Sequence, residues 1–286
     1  MIYQPDSTGK MKWNIIRGGD GMDCAIDPRH PEILYANDGN SNLMFRSDNS
    51  GITWGRNLAI TGKPAEYLRP IILDPLRDSV IYAGYHDLFR SRDRGQTWKQ
   101  ISDFKNFTDV HRIGSIAIAP SDSQTIYIAY ASTAWNDTVR EKVFRTSDGG
   151  NHWDDITTGL TEVGWHAISS LAVDPSDPKK IYIGFHCGAN HKIMRSVTGG
   201  KAWEYFDSGI PSDADVYSMI ADPVTHSVYA GTLSGVYRIS PVQTRWEKFG
   251  TGLPDTWIRD LEIRFDTRKL YAATHGYGIW ETSLDH

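Results

Sequence analysis

The sequence contains little cysteine, no excess of basic residues and no long apolar run. Its 286 residues include two cysteines, and its formal net charge is −5. Proteins that bind nucleic acid concentrate lysine and arginine in a basic patch, so this charge balance argues against a nucleic-acid partner. No segment approaches the roughly 18 consecutive apolar residues of a membrane-spanning helix, so we expect no membrane span.

A secretory signal peptide is also missing from the sequence. Such a leader directs a chain out of the cytosol and is removed afterwards. Its absence fits either a cytosolic protein or a domain cut from a secreted parent, which would then be extracellular or periplasmic. The compartment therefore stays open at this point.

One ten-residue phrase recurs along the chain, and its clearest copy is FRSRDRGQTW at residues 89–98. In every copy an arginine lies eight residues before a tryptophan. The other four copies occupy residues 45–54, 144–153, 194–203 and 237–246. A repeat every ~40 to 55 residues is typical of a repeat architecture.

The phrase resembles the Asp-box, or BNR repeat, which reads Ser/Thr-x-Asp-x-Gly-x-Thr-Trp. An aspartate in a tight turn accepts backbone N–H groups, a glycine permits positive φ, and a tryptophan supplies a large apolar face. These roles suit a turn between two strands better than catalysis. We therefore expect a structural role for the two best copies, namely Ser91, Asp93, Gly95 and Trp98, and Thr146, Asp148, Gly150 and Trp153.

Two further phrases precede each box and complete a four-stranded repeat. The first ends in Asp-Pro, as in Asp174-Pro175, and the second is a tyrosine-centred run, as in residues 181–184. β-Branched and aromatic runs that are separated by turn residues are typical of strands. Four-stranded units repeated in this way are the blades of a β-propeller. The sequence predicts an all-β, six-bladed propeller of four-stranded antiparallel blades.

The sixth blade is predicted to close the ring with the N-terminal strand. Residues 257–286 supply three strands, and residues 11–17 match the strand that follows each Asp-box tryptophan. The interval from Trp246 through the termini to Trp13 is 53 residues, within the range of the other intervals. Residues 1–286 then form one domain, and closure removes exposed sheet edges. Cys24 and Cys187 lie across the ring, so we expect two free thiols.

The loops opposite the Asp-box turns are the expected place for a ligand, because binding residues on rigid β scaffolds lie in loops. This face combines aromatic, acidic and cationic side chains, which suit sugar rings. The predicted ligand-binding residues are Arg69, Tyr85, His86, Arg112, Trp135, Trp165, His166, His186, Asp215, Tyr217, Trp257, Arg259, His275 and Tyr277.

Carboxylates near the predicted channel mouth are candidates for glycoside hydrolysis, which needs two carboxyl groups about 5–5.5 Å or 6.5–9.5 Å apart. We name Asp20, Asp23 and Asp260 as the candidate catalytic residues, with Asp213 and Asp215 as a second choice. The histidines and Cys187 of blades 3 and 4 match no zinc spacing, so we expect no metal and no cofactor.

The repeat resembles several families of Asp-box propellers. Sialidases share six blades and use three arginines and a tyrosine, which Arg69, Arg112 and Arg259 with Tyr217 or Tyr277 could imitate. Their Phe-Arg-Ile-Pro signature is absent, however, and Arg17-Gly18-Gly19-Asp20-Gly21 stands in its place. The sequence therefore argues against sialidase activity.

The alternation of Asp-Pro and Ile-Tyr-Ala-Gly more closely resembles the xyloglucanase-like glycosidases, the sortilin-type receptors and the photosystem II assembly factor. The first family implies recognition and cleavage of a polysaccharide, although those enzymes place their site between two propellers. We expect the chain itself to be a monomer. The other two families imply a non-catalytic scaffold with a protein partner. Fold likeness alone does not decide between these hypotheses.

Overall fold

Short antiparallel sheets make up the computed structural model of this chain. The structure describes residues 2–5, 8–15, 21–38, 44–57, 60, 70–104, 111–132, 142–160, 167–186 and 189–285. The predicted all-β propeller with six blades is confirmed. Within the described ranges, no helix is long and apolar enough to cross a membrane. Contacts divide the chain into two compact units, Met1–Phe104 and Lys105–His286.

The first unit contains an N-terminal hairpin and two blades. The hairpin consists of β1 (Ile2–Pro5) and β2 (Met11–Asn14). Blade 1 consists of β3 (Gly21–Ile26), β4 (Leu34–Asp38), β5 (Met44–Ser47) and β6 (Arg56–Asn57), and blade 2 of β7 (Ile71–Leu73), β8 (Ile81–Gly84), β9 (Leu88–Ser91) and β10 (Lys99–Gln100). In each blade every strand pairs with the next along the chain.

The second unit contains the other four blades, with the same strand order. Blade 3 consists of β11 (His111–Ala119), β12 (Asp122–Ser132), β13 (Val143–Thr146) and β14 (Asp154–Asp155), and blade 4 of β15 (Ala167–Val173), β16 (Ile181–His186), β17 (Ile193–Ser196) and β18 (Glu204–Tyr205). Blade 5 consists of β19 (Val216–Ala221), β20 (Val228–Thr232), β21 (Gly235–Ile239) and β22 (Glu247–Lys248), and blade 6 of β23 (Ile258–Arg264), β24 (Lys269–Thr274) and β25 (Ile279–Ser283).

The predicted completion of blade 6 by the N-terminal strand is not shown by the described residues. β2 pairs with β1 in a sheet of its own, with Trp13 opposite Tyr3. Blade 6 accordingly has three strands among the described residues, and Ile279 and Trp280 of β25 are exposed. Closure of the ring by residues 11–17 stays a prediction.

Each Asp-box folds as a tight turn between the third and fourth strands of a blade. In blade 2 the Ser91 hydroxyl donates to Asp93 and accepts the N–H of Gly95, which has φ 87°. Asp93 also accepts the N–H and hydroxyl of Thr97, at 2.8 and 2.6 Å. In blade 4 the hydroxyl of Thr198 takes the place of the aspartate and accepts the N–H of Ala202 within the turn at 2.9 Å. Side-chain chemistry can therefore vary while the turn persists.

Apolar side chains fill the space between neighbouring blades. One buried cluster joins blades 3 and 4, a second joins blades 4 and 5, and a third joins blades 5 and 6. The glycine that ends the tyrosine-centred run permits this approach. A Cβ atom on Gly184 would lie 2.6 Å from Val216 Cγ1, and one on Gly231 would lie 2.8 Å from Ile258 Cγ2. Separations that short are not tolerated in a close-packed interior.

Candidate functional site

Four rings from three adjacent blades form a continuous series, which we call the aromatic ladder: His186, Tyr217, Trp257 and His275. The ring centroids of His186 and Tyr217 are 5.8 Å apart with planes at 19°. Tyr217 and Trp257 follow at 5.9 Å and 12°, and Trp257 and His275 at 5.2 Å and 36°. The first two pairs are nearly parallel at separations that correspond to offset stacking, and the third pair is tilted.

The ladder depends on β-bulges in the first strands of blades 5 and 6. The register shifts between Val216 and Ser218 in β19 and between Ile258 and Asp260 in β23. One extra residue therefore stands at each bulge, Tyr217 in one blade and Arg259 in the other. A bulge re-aims a side chain and is frequent beside functional sites. The sequence prediction assigned these residues to loops, but the bulge lets the strand continue past them.

The same bulge occurs in blades 3 and 4 with small side chains. There the extra residues are Gly114 and Ser169, as the register shifts after Ile113 and Ile168 show. This bulge therefore carries small side chains in blades 3 and 4 and large ones in blades 5 and 6. The side chain at this position varies between blades that share the same register shift.

Arg259 lies against the middle of the ladder. Its Cζ atom is 5.1 Å from the centroid of the Tyr217 ring, within the range of a cation–π contact. Burial lowers the pKa of His186; Asp215 opposes this shift, and Arg259 adds to it. An imidazole with a lowered pKa is neutral at neutral pH, so it can both donate and accept hydrogen bonds.

A buried ion pair supports one end of the ladder. Lys192 is only 3% exposed, and its Nζ atom is 2.7 Å from Oδ1 of Asp215. The sequence prediction included Asp215 and missed Lys192. A signal was present, because Lys142 and Lys192 both stand three residues before the arginine of the repeated phrase in their blades, and both pair with an aspartate.

Three side chains at equivalent register positions accept a hydrogen bond from the backbone of the following blade. Asp23 Oδ2 accepts the N–H of Ile71 at 2.7 Å, in blades 1 and 2. Ser170 accepts the N–H of Met219 at 2.9 Å, and Ser218 accepts that of Leu261 at 3.1 Å. Asp23 also accepts the N–H of Cys24 through its other oxygen, so both of its carboxylate oxygens have backbone partners.

Asp260 occupies the equivalent position in blade 6. It accepts the Ser218 hydroxyl at 3.2 Å and the N–H of Leu261 at 2.9 Å. Solvent reaches the residue, but the surrounding protein limits hydration of the carboxylate. This burial raises the pKa of Asp260, while the two hydrogen bonds oppose the shift. A raised carboxyl pKa is the property that a general acid needs.

The remaining predicted residues are distributed between the two units. Tyr85 is buried edge-on against Phe89, with His86 beside it in blade 2, and Arg112 is half-buried in β11. Tyr277 is 61% exposed on the turn before β25. The predicted site residues Asp20, Arg69, Trp135, Trp165 and His166 lie outside the described residues, as does Cys187. Cys24 is a free, exposed thiol.

A second group of contacting side chains, formed by His191, Tyr205 and Asp207, was not predicted from the sequence. The ring of His191 stacks on Tyr205 at 3.6 Å and 13°, and its Nδ1 atom lies 3.2 Å from Asp207. Asp207 also accepts the N–H of Lys192 at 2.9 Å, which fixes the carboxylate. Across the residues that the structure describes, no three His, Cys, Asp or Glu side chains are grouped closely enough to hold a metal ion.

Comparison with known proteins agrees with the Asp-box architecture. A family profile described as "Sortilin, neurotensin receptor 3" (Sortilin-Vps10) matches residues 86–218. A xyloglucanase from a Paenibacillus species is 25% identical over 252 residues, which cover 74% of this chain and 23% of that protein. The chain spans about a quarter of the length of the xyloglucanases that it matches.

Solved structures show the same fold. An ancestral GH74 enzyme has a TM-score of 0.68 at 18% identity, and the match covers 92% of this chain and 36% of that chain. YCF48 bound to a D1 peptide has a TM-score of 0.63 at 14% identity, covering 93% of this chain and 79% of that chain. The chain is a six-bladed Asp-box propeller that resembles carbohydrate-active and protein-binding relatives alike.

Proposed function

We propose that this propeller recognises a carbohydrate through the aromatic ladder of blades 4 to 6. The observation that carries the proposal is the series of four adjoining rings, because sugar rings stack on exposed aromatic side chains. Trp257 is 42% exposed, and the adjoining ladder residue Tyr217 also faces the cation Arg259. Ligand sites combine such apolar surfaces with a few polar groups that fix orientation. The likeness to xyloglucanases supports a polysaccharide as the source of the sugar.

A glycan array followed by calorimetry on each hit tests the proposal. We expect Trp257→Ala and Tyr217→Ala to weaken binding by about tenfold or more, because each removes a stacking face worth roughly 1.4 kcal/mol. Tyr205→Ala is the matched control, since Tyr205 is also an exposed aromatic residue but stacks on His191 outside the ladder. Silence across the array, or equal losses in all three variants, would contradict the proposal.

We also propose that the bound polysaccharide is cleaved. Asp260 is the proposed catalytic acid, because burial raises its pKa. A digestion panel over soluble polysaccharides measures the activity as release of reducing ends. Asp260→Asn should abolish it while binding persists. Binding without any digestion leaves a recognition module.

The alternative function is a non-catalytic protein-interaction scaffold. It is favoured by the exposed apolar side chains Tyr277, Ile279 and Trp280 of blade 6, and by the relative YCF48, which was solved with a D1 peptide. Exposed apolar groups of this kind are frequent at protein interfaces. A purified partner that is lost on combining Tyr277→Ala with Trp280→Ala, but retained by Trp257→Ala, would favour the scaffold over the sugar site.

A further inference from the structure

We propose that the sugar bound at the aromatic ladder carries a carboxylate, as a uronic acid does, and that Arg259 binds it. This inference rests on the proposed function and narrows it from carbohydrates in general to acidic carbohydrates. The guanidinium group is planar and presents its N–H donors as a fork that matches the two oxygens of a carboxylate.

Arg259 differs from the other two described arginines of blade 6 in having no ion pair with a described carboxylate. On the same strand, Arg264 binds Asp266 through two hydrogen bonds of 2.8 and 2.9 Å. Arg268 binds Asp222 in the same bidentate way. Arg259 instead lies over the Tyr217 ring, so its N–H donors are left for a ligand.

The carboxylates around the ladder are already engaged elsewhere. Asp215 pairs with the buried Lys192, and Asp255 pairs with Lys248 at 2.5 Å. Asp260 accepts hydrogen bonds from Ser218 and from the backbone of Leu261. A ligand at Tyr217 would therefore meet the charge of Arg259, whose Cζ atom lies 5.1 Å from the centroid of that ring.

The fold also places the charge of Arg259 beside the ring of Tyr217. Arg259 and Tyr217 stand at the equivalent bulges of adjacent first strands. The same bulge carries glycine in blade 3 and serine in blade 4. The bulge therefore forms without an arginine at this position. A sugar stacked on Tyr217 or Trp257 would have its substituents within reach of the guanidinium.

Calorimetry with one oligosaccharide in two forms tests the inference. The probes are a short oligogalacturonide and the same oligosaccharide after its carboxyl groups have been reduced to alcohols. We expect the wild-type protein to bind the acidic form about tenfold more tightly, as charge-assisted hydrogen bonds to a partly exposed group allow. Added salt should reduce this preference, because it screens exposed charges.

Variants at Arg259 assign the preference to this side chain. Arg259→Gln should bind the acidic and the reduced forms about equally, while Arg259→Lys should keep only part of the preference, since lysine lacks the fork. Arg264→Gln is the control, because it removes the same charge from the same strand. Matching thermal melts for Arg259→Gln and the wild type would show that the fold is intact.

The outcomes separate this inference from the proposed function. If the wild-type protein binds both forms equally and Trp257→Ala weakens both, the carboxylate inference is overturned and carbohydrate recognition stands. If a sulfated oligosaccharide of the same length binds as tightly as the uronate, the assignment to a carboxylate is overturned. If no glycan binds at all, both proposals fail together.

Discussion

The tryptophan of an Asp-box has two roles, one played by its ring and the other by its indole N–H. Its ring fills the space between blades, and its indole N–H donates to the preceding blade. Trp246 Nε1 donates to the carbonyl of Phe206 at 2.7 Å, and Trp203 Nε1 donates to that of Ile156 at 3.0 Å. Trp98 Nε1 is buried but has no partner among the described residues. The ring is thus present in each of these blades, whereas the hydrogen bond from the indole N–H differs between them among the described residues.

This difference yields a prediction for two otherwise similar substitutions. Trp246→Phe removes a buried donor and leaves the Phe206 carbonyl unpaired, so we expect the free energy of unfolding to fall by about 1–3 kcal/mol. Trp98→Phe removes an N–H that has no partner among the described residues, and it should cost about 1 kcal/mol less than Trp246→Phe. Urea titration of both variants measures the two values. Equal losses would show that only ring volume matters.

At the scale of the strand, the second strand of a blade is the surface that the next blade approaches most closely. Its terminal glycine is the reason: Gly231 faces Ile258, including the Ile258 carbonyl oxygen at 3.2 Å from a Cβ position. Backbone atoms cannot rotate away as a side chain can. The Ile-Tyr-x-Gly phrase is therefore a packing signal between blades as well as a strand signal.

Gly231→Ala should consequently destabilise the fold. A methyl group 2.8 Å from Ile258 Cγ2 forces the two blades apart, and overpacking of this kind costs about 1–3 kcal/mol. Gly55→Ala is the control, because nothing lies within 4 Å of its Cβ position. That variant should be neutral or slightly more stable. A midpoint for Gly231→Ala that equals the wild-type value would refute the packing argument.

The strands could be predicted from the sequence because turn residues repeat at their ends. The Asp-box and Asp-Pro phrases locate turns, and the tyrosine-centred runs locate strands. The ladder was predicted only as a set of residues on one face. A bulge adds one residue without a sequence signature, so neither the stacking of Tyr217 on Trp257 nor the contact with Arg259 could be foreseen. Lys192 was missed because a buried ion pair depends on which loop packs over it.

At the scale of the molecule, side chains that cross from blade to blade hold the second unit together. Between blades 5 and 6, Arg268 donates hydrogen bonds to both carboxylate oxygens of Asp222, each at 2.8 Å. Asp222 is fully buried. Burial alone would raise the pKa of Asp222, but the hydrogen bonds from Arg268, Thr225 and the backbone outweigh it and lower the pKa to about 2.

This pair predicts how acid affects stability. A carboxyl group whose folded pKa is depressed stabilises the fold fully above its unfolded pKa, and this stabilisation is lost as the pH falls through the folded pKa. The contribution of Asp222 should therefore fade between its ordinary value of 3.8 and about 2. Arg268→Gln should lower stability by about 2 kcal/mol at neutral pH and flatten the decline in this window.

Thermal melts across that pH range, with Arg264→Gln as the control, measure the effect. Arg264 pairs with Asp266 at the exposed surface, so its loss should change stability by less than about 1 kcal/mol. Parallel pH profiles for Arg268→Gln and the wild type would show that another group controls acid sensitivity.

The ladder draws its four rings from three blades, and this makes the site indivisible. Blade 4 supplies His186, blade 5 supplies Tyr217, and blade 6 supplies Trp257 and His275. A fragment with one blade holds at most two of the rings and cannot reproduce their spacing. Affinity for a ligand is therefore also a measure of how well these blades are assembled, so any ligand of the ladder will raise the melting temperature of the segment that contains them.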